Sequence, residues 1–302
     1  MKKTIIAASL TALAMGPAFA GASEYEANGQ TKIFDGTGSY PSGDSIKLIG
    51  GWHYDDKTET NVFDHSASNT NITLTGGTFD ELIGGNHIRK PNTGSYDLKI
   101  GNTHVTLSGE GSVTYFIGGS KANNADNTNL TTGNVTAAIS GGTVTGSAMS
   151  WGDKVSVIGG SYVKSTGNKD YGIPALTTAE TGDISLSISG GTFTGAVFGG
   201  SVADNYGKEQ ASDSSKPHLS ITTGVSSLLI EGGTFNSSEF GVFGGSAALG
   251  QKSSTESSGS SVIIDAKKDV DITGRVVGGD LLGFGGSGKY DQRQYFCLHH
   301  GF

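Results

Sequence analysis

An apolar pair followed by Gly-Gly recurs seven times along the chain. The instances are Leu48-Ile49-Gly50-Gly51, Leu82-Ile83-Gly84-Gly85, Phe116-Ile117-Gly118-Gly119, Val157-Ile158-Gly159-Gly160, Val197-Phe198-Gly199-Gly200, Val242-Phe243-Gly244-Gly245 and Val276-Val277-Gly278-Gly279. Their first glycines are spaced by 34, 34, 41, 40, 45 and 34 residues. All fourteen preceding positions are apolar in a chain that is only 34% apolar, so composition alone does not produce the pattern. A period in this range signals a solenoid or a propeller, whose units cannot bury their apolar face alone.

A second signal decides between them. Ile72-Thr73-Leu74, Val105-Thr106-Leu107, Ile184-Ser185-Leu186-Ser187-Ile188 and Val270-Asp271-Ile272 alternate apolar and polar residues. Period two with β-branched residues marks strands with one buried face. These runs lead to Gly76-Gly77, Gly141-Gly142, Gly190-Gly191 and Gly232-Gly233, after which Thr78-Phe79, Thr143-Val144, Thr192-Phe193 and Thr234-Phe235 restart the strand. Each unit therefore reads as strand, glycine corner, short strand, Gly-Gly corner and polar loop. A propeller blade needs four strands and its own recurring marks, and these units show two or three. The predicted class is all-β: a right-handed, single-stranded parallel β-helix of about seven coils, on the order of 35 Å long. Ile49, Ile83, Ile117, Ile158, Phe198, Phe243 and Val277 are expected to form one internal ladder.

The ends differ from the middle. Lys2 and Lys3, the apolar run Ile5 to Met15 and Ala18-Phe19-Ala20 have the form of a secretory signal peptide, residues 1–20, cleaved after Ala20. Residues 21–44 lack the repeat and are expected to shield the open end of the core. The β-helix is assigned to residues 45–286. Residues 287–302 break its composition with the only Cys (Cys297), two of the seven His and one of the three Arg, and read as an irregular tail. That tail is expected to be a truncation or frameshift scar.

The 302 residues include 50 Gly but only 5 Pro, which excludes a Pro-rich linker or collagen. Net charge is −8, and the only arginines are Arg89, Arg275 and Arg293, so the clustered cations that nucleic-acid binding needs are missing.

A signal peptide followed by coils such as Leu186-Ser187-Ile188-Ser189-Gly190-Gly191-Thr192-Phe193-Thr194-Gly195-Ala196-Val197-Phe198-Gly199-Gly200-Ser201 resembles the passenger domains of autotransporters. The resemblance covers roughly residues 45–286 and implies export to the surface of a diderm bacterium, as a cell-surface or extracellular protein. It also implies an outer-membrane translocator, usually a C-terminal barrel of many amphipathic strands. No such strands follow Gly286 here, so the translocator is expected in frame downstream or elsewhere; without one the chain would be periplasmic. Family members include adhesins, autoaggregation factors and passengers that carry enzymes.

Fragments that look like enzyme motifs fail on inspection. Gly43-Asp44-Ser45 continues with Ile46 where a serine-protease motif has Gly, and every His lies C-terminal to Ser45. Gly283-Phe284-Gly285-Gly286-Ser287-Gly288 lacks the strand-helix context of a dinucleotide fingerprint, and Tyr290 stands where a phosphate loop needs Ser or Thr. The calcium-binding Gly-Asp nonapeptide is absent. Asp55-Asp56 and Asp80-Glu81 are adjacent, so on strands they face opposite ways, and they read as solvated loop charge. No catalytic residue, cofactor or metal is assigned.

Binding residues are assigned in two places. Trp52-His53-Tyr54, with Asp55 close by, is the densest aromatic cluster, and aromatic faces stack on sugars; the alternative is that Trp52 and Tyr54 cover the first coil. The second is an insertion: Val144 to Ile158 is far longer than Phe79 to Ile83, so Thr145 to Ser156 leaves the coil, carrying Met149 and Trp151. The alternative there is that Trp151 folds back. Deleting Ala148 to Lys154 is expected to spare stability and weaken adhesion. The predicted function is a non-enzymatic, adhesin-like solenoid whose loops bind host glycans, extracellular matrix or a like molecule on another cell. The alternatives are a polysaccharide-acting lyase or hydrolase, or an inactive truncated passenger.

Overall fold

The computed structural model describes residues 24–37, 43–54, 61–89, 95–123, 128–149, 154–165, 176–205, 219–250, 253–282, 287–290 and 294–299. The described residues are all-β, with parallel pairing throughout except for one short hairpin. The architecture is of the β-solenoid type: successive units stack so that like strands form continuous ladders, and each backbone finds its hydrogen-bond partners in the units above and below. Among the described residues there are four ladders, where two or three strands per unit were expected.

The first ladder holds the alternating strands. Its register runs Phe34, Leu74, Leu107, Ile139, Ile188, Ile230, Ile264 and Leu298. The second ladder carries the apolar pairs, and Ile49, Ile83, Ile117, Ile158, Phe198, Phe243 and Val277 do align in one register. The preceding residues Leu48, Leu82, Phe116, Val157, Val197 and Val242 face the first ladder and build the main core with it. Neighbouring strand residues point to opposite faces. Ile49 and its equivalents therefore pack in a separate buried cluster with Tyr115, Met149, Tyr162, Val202, Ala247 and Leu249. One internal row was expected; the strand is in fact buried on both faces.

The third ladder supplies that second cover. The segment after each Gly-Gly, read in sequence as polar loop, is a strand of a separate seven-stranded sheet: His53–Tyr54, His87–Arg89, Lys121–Asn123, Tyr162–Ser165, Val202–Asn205, Ala247–Leu249 and Leu281–Leu282. Its other face packs on the fourth ladder, where Ile88, Ala122, Val163 and Ala203 meet Tyr96, Leu98, Leu130, Ala179, Leu219 and Ile221. The fourth ladder runs in register through His65, Ile100, Thr132, Thr181, Thr223, Ser257 and Tyr290.

The two glycine corners need glycine for different reasons. At the first, Gly77, Gly142, Gly191 and Gly233 have φ of 81°, 82°, 111° and 121°, a region that disfavours a Cβ. At the second, the backbone is ordinary but stacked too closely. A Cβ on Gly84 would lie 2.0 Å from the Gly118 carbonyl oxygen, and one on Gly118 would lie 2.0 Å from that of Gly159.

Side chains at the residue after each Gly-Gly tie the units together. Trp52 N–H donates to Asn86 Oδ1, Asn86 to Ser120 Oγ, Ser120 to Ser161 Oγ, Ser161 to Ser201 Oγ, Ser201 to Ser246 Oγ and Ser246 to Asp280 Oδ1, at 2.7 to 3.2 Å. Buried hydroxyls of the fourth ladder complete this column, as where Ser120 meets Thr132 and Ser161 meets Thr181, both at 2.8 Å. A second column uses Asn69, Asn102, Asn134 and Asp183, each accepting the backbone N–H one unit on.

The ends continue the pattern. Glu24–Glu26 and Thr31–Phe34 extend the second and first ladders, and Phe34 is fully buried on Leu74, so this part of the expected cap is itself a partial rung. Ser287–Tyr290 and Gln294–His299, expected to be irregular, pair with 254–257 and 260–265. Their departure in composition hid them, because the ladder bonds are made by the backbone. Residues 1–20 and Trp151 lie outside the described residues.

Candidate functional site

The first unit places the aromatic cluster where the stack begins. Gly51 turns the chain into the third ladder, and Trp52 is held by its N–H bond to Asn86. His53 and Tyr54 pair in register with His87 and Ile88, so their side chains point to opposite faces. Tyr54 meets Phe63 with ring centroids 4.5 Å apart, and its hydroxyl lies 3.2 Å from His65 Nε2. Burial, helped by the Glu26 carboxylate, pushes the Tyr54 phenol up to about 12, so it stays neutral. The Trp52 indole stacks on His65 at 3.7 Å with the planes 11° apart. Trp52, Tyr54, Phe63 and His65 are each half-buried and form one aromatic platform.

His53 turns to the other face. Its N–H donates to Glu26 Oε2 at 3.0 Å, and its Nδ1 lies 3.0 Å from Nδ1 of the buried His87. His53, grouped in sequence with the aromatic binding cluster, is tied to a second imidazole. His87, His65, Phe63 and Glu26 were not singled out in sequence. One signal was available: His53 and His87 stand 34 residues apart, the spacing of Gly50 and Gly84.

The same face continues into a buried charged group. Lys121 follows His87 in register, and its Nζ binds Glu81 Oε1 at 2.5 Å while lying 5.3 Å from the ring centres of both Tyr115 and Tyr162. Glu81, expected to be solvated, is buried, because the third ladder covers that face of its strand. Burial lowers the Lys121 ammonium from its ordinary value, against the opposing pull of Glu81. Among the described residues, Glu81 Oε2 and His87 Nε2 are buried without a partner.

The insertion is shorter than expected. Thr145 and Gly146 still bond back to Val113 and Thr114, and Ser147–Ala148 forms an antiparallel hairpin with Lys154–Ile158. Met149 is 2% exposed, and its sulfur accepts from the Tyr162 hydroxyl at 3.3 Å. Among the candidate binding residues it is therefore a packing residue over Tyr162.

Among the described residues no group of three or more His, Cys, Asp or Glu could hold a metal ion, and no helix is long and apolar enough to cross a membrane. Comparison with protein-family models, curated proteins and solved structures found no match to the chain.

Proposed function

We propose that the chain is an exported, right-handed, single-stranded parallel β-helix of about seven coils, acting as an adhesin-like scaffold that binds saccharides. The observation that carries this reading is the stacked Trp52–His65 pair, set with Tyr54 and Phe63 at a half-exposed corner of a rigid stack. Aromatic faces held in place by neighbouring rings give contact area to a sugar ring with little loss of side-chain freedom. The signal-like segment of residues 1–20 supports export, and the glycine-cornered coils support display as an autotransporter-like passenger on a diderm bacterium. Host glycans, matrix or a neighbouring cell are the partners this chemistry suits.

The test is a glycan panel scored for both retention and cleavage. Retention without cleavage products is expected, with affinity at least about tenfold weaker in Trp52→Ala. Released oligosaccharide, or full retention by Trp52→Ala, would overturn the proposal.

A further inference from the structure

The geometry points to an acid-sensitive latch: the contact between His53 and His87 holds the first strand of the seven-stranded sheet closed at neutral pH and lets it open when the pH falls below the ordinary imidazole range. This goes beyond the binding role and does not rest on it.

The strand His53–Tyr54 is the edge of its sheet and pairs with one neighbour over two residues. It is held by the Trp52 carbonyl accepting from His87 N–H at 2.9 Å, by His53 N–H on Glu26, and by the two imidazoles. With both rings neutral, one Nδ1–H donates to the other Nδ1. One added proton can be shared across that contact. A charged His87, however, would also carry an Nε2–H, and His87 Nε2 is buried with no acceptor among the described residues.

The surroundings oppose the charge further. Lys121, Lys47 and Arg89 are the cations around His87. The carboxylates nearby are committed elsewhere: Glu81 to Lys121, Asp80 to Lys47 and Glu26 to the His53 N–H. Burial first, then the Lys121 charge, hold the His87 imidazole well below its ordinary value of 6.5. The closed state therefore binds fewer protons than the open one below 6.5, and closure weakens as pH falls. Above 6.5 neither state gains a proton and the latch is at full strength. Opening would also release Glu26, and with it the partial rung Glu24–Glu26 that lies on Gly43–Ile49.

Hydrogen exchange of the full chain at pH 7.0 and 5.5, corrected for intrinsic rates, tests this. One extra proton taken up by the open state predicts roughly tenfold more opening of residues 43–54 and 87–89 at pH 5.5, with 219–249 unchanged. His87→Gln should abolish the difference, whereas His65→Gln, which removes the platform imidazole, should keep it. Equal opening at both pH values, or a tenfold change that survives His87→Gln, would overturn the latch. If His87→Gln does not fold, imidazole NMR of the unmodified chain decides: His87 should remain neutral at pH 5.5 in the closed state, and ordinary titration there would overturn the proposal. Glycan retention at pH 7.0 is read separately, so loss of binding and loss of the latch are distinguishable.

Discussion

A single added methyl group distinguishes the glycines that build the corners from those that only add slack. On Gly118, a Cβ would lie 2.0 Å from the Gly159 carbonyl oxygen and 2.7 Å from Val135 Cγ1. Neither neighbour can yield without shifting a stacked rung, so Gly118→Ala is expected to cost about 2–4 kcal/mol. On Gly259 a Cβ would meet nothing within 4 Å, and φ is not positive. Gly259→Ala should be neutral or stabilising by up to about 1 kcal/mol, because it restricts the unfolded chain. Urea midpoints of the two variants check both. The sequence placed the Gly-Gly corners, but not which corner needs glycine for its φ and which for close stacking. Close approach is a property of two stacked units, and it cannot be seen within one.

Among the elements, legibility followed hydrophobic contrast. The strands of the first ladder alternate cleanly, and the apolar pairs of the second stand out beside glycine, so both were readable. Third-ladder strands such as Lys121–Asn123 and Tyr162–Ser165 are three or four residues of mixed polarity, too short to show a period. Fourth-ladder strands such as Thr128–Thr132 and Thr177–Thr181 turn threonine inward, where Thr132 and Thr181 bond the serine column rather than an apolar wall. Polarity there reads as surface when it is interior. The site was half legible for the same reason: Trp52, His53 and Tyr54 are contiguous, but His65 reaches Trp52 from the fourth ladder and His87 reaches His53 through register. The hairpin shows the cost of that blindness. Met149 fills the space over Tyr162, so Met149→Ala should lose about 2–4 kcal/mol. Deleting residues 148–154 should therefore lower the melting temperature, contrary to the sequence expectation. Thermal unfolding followed by circular dichroism separates the outcomes; an unchanged midpoint would mean that Met149 contributes no packing.

At the scale of the whole molecule, stability depends on position along the stack, since each unit contacts only its neighbours. Ile158 is fully buried between Ile117 and Phe198, whereas Val277 pairs with Phe243 alone among the described strands and is half-buried. An unpaired carboxylate at Ile158→Asp should cost several kcal/mol, about 3–5, and divide unfolding into more than one transition. Val277→Asp should cost about 1 kcal/mol and leave the main transition single. Denaturant titration reports both, and equal losses would argue against nearest-neighbour stability. The serine and asparagine columns carry one more implication. Units differ in length by up to eleven residues, from 34 to 45, yet from Asn86 to Asp280 each delivers a hydroxyl, amide or carboxylate oxygen to the backbone N–H of the unit before it. The molecule is gauged by rungs, not by residues. A loop could lengthen by a residue or by ten and leave the scaffold's frame unmoved, so the surface can be rewritten without renegotiating the fold.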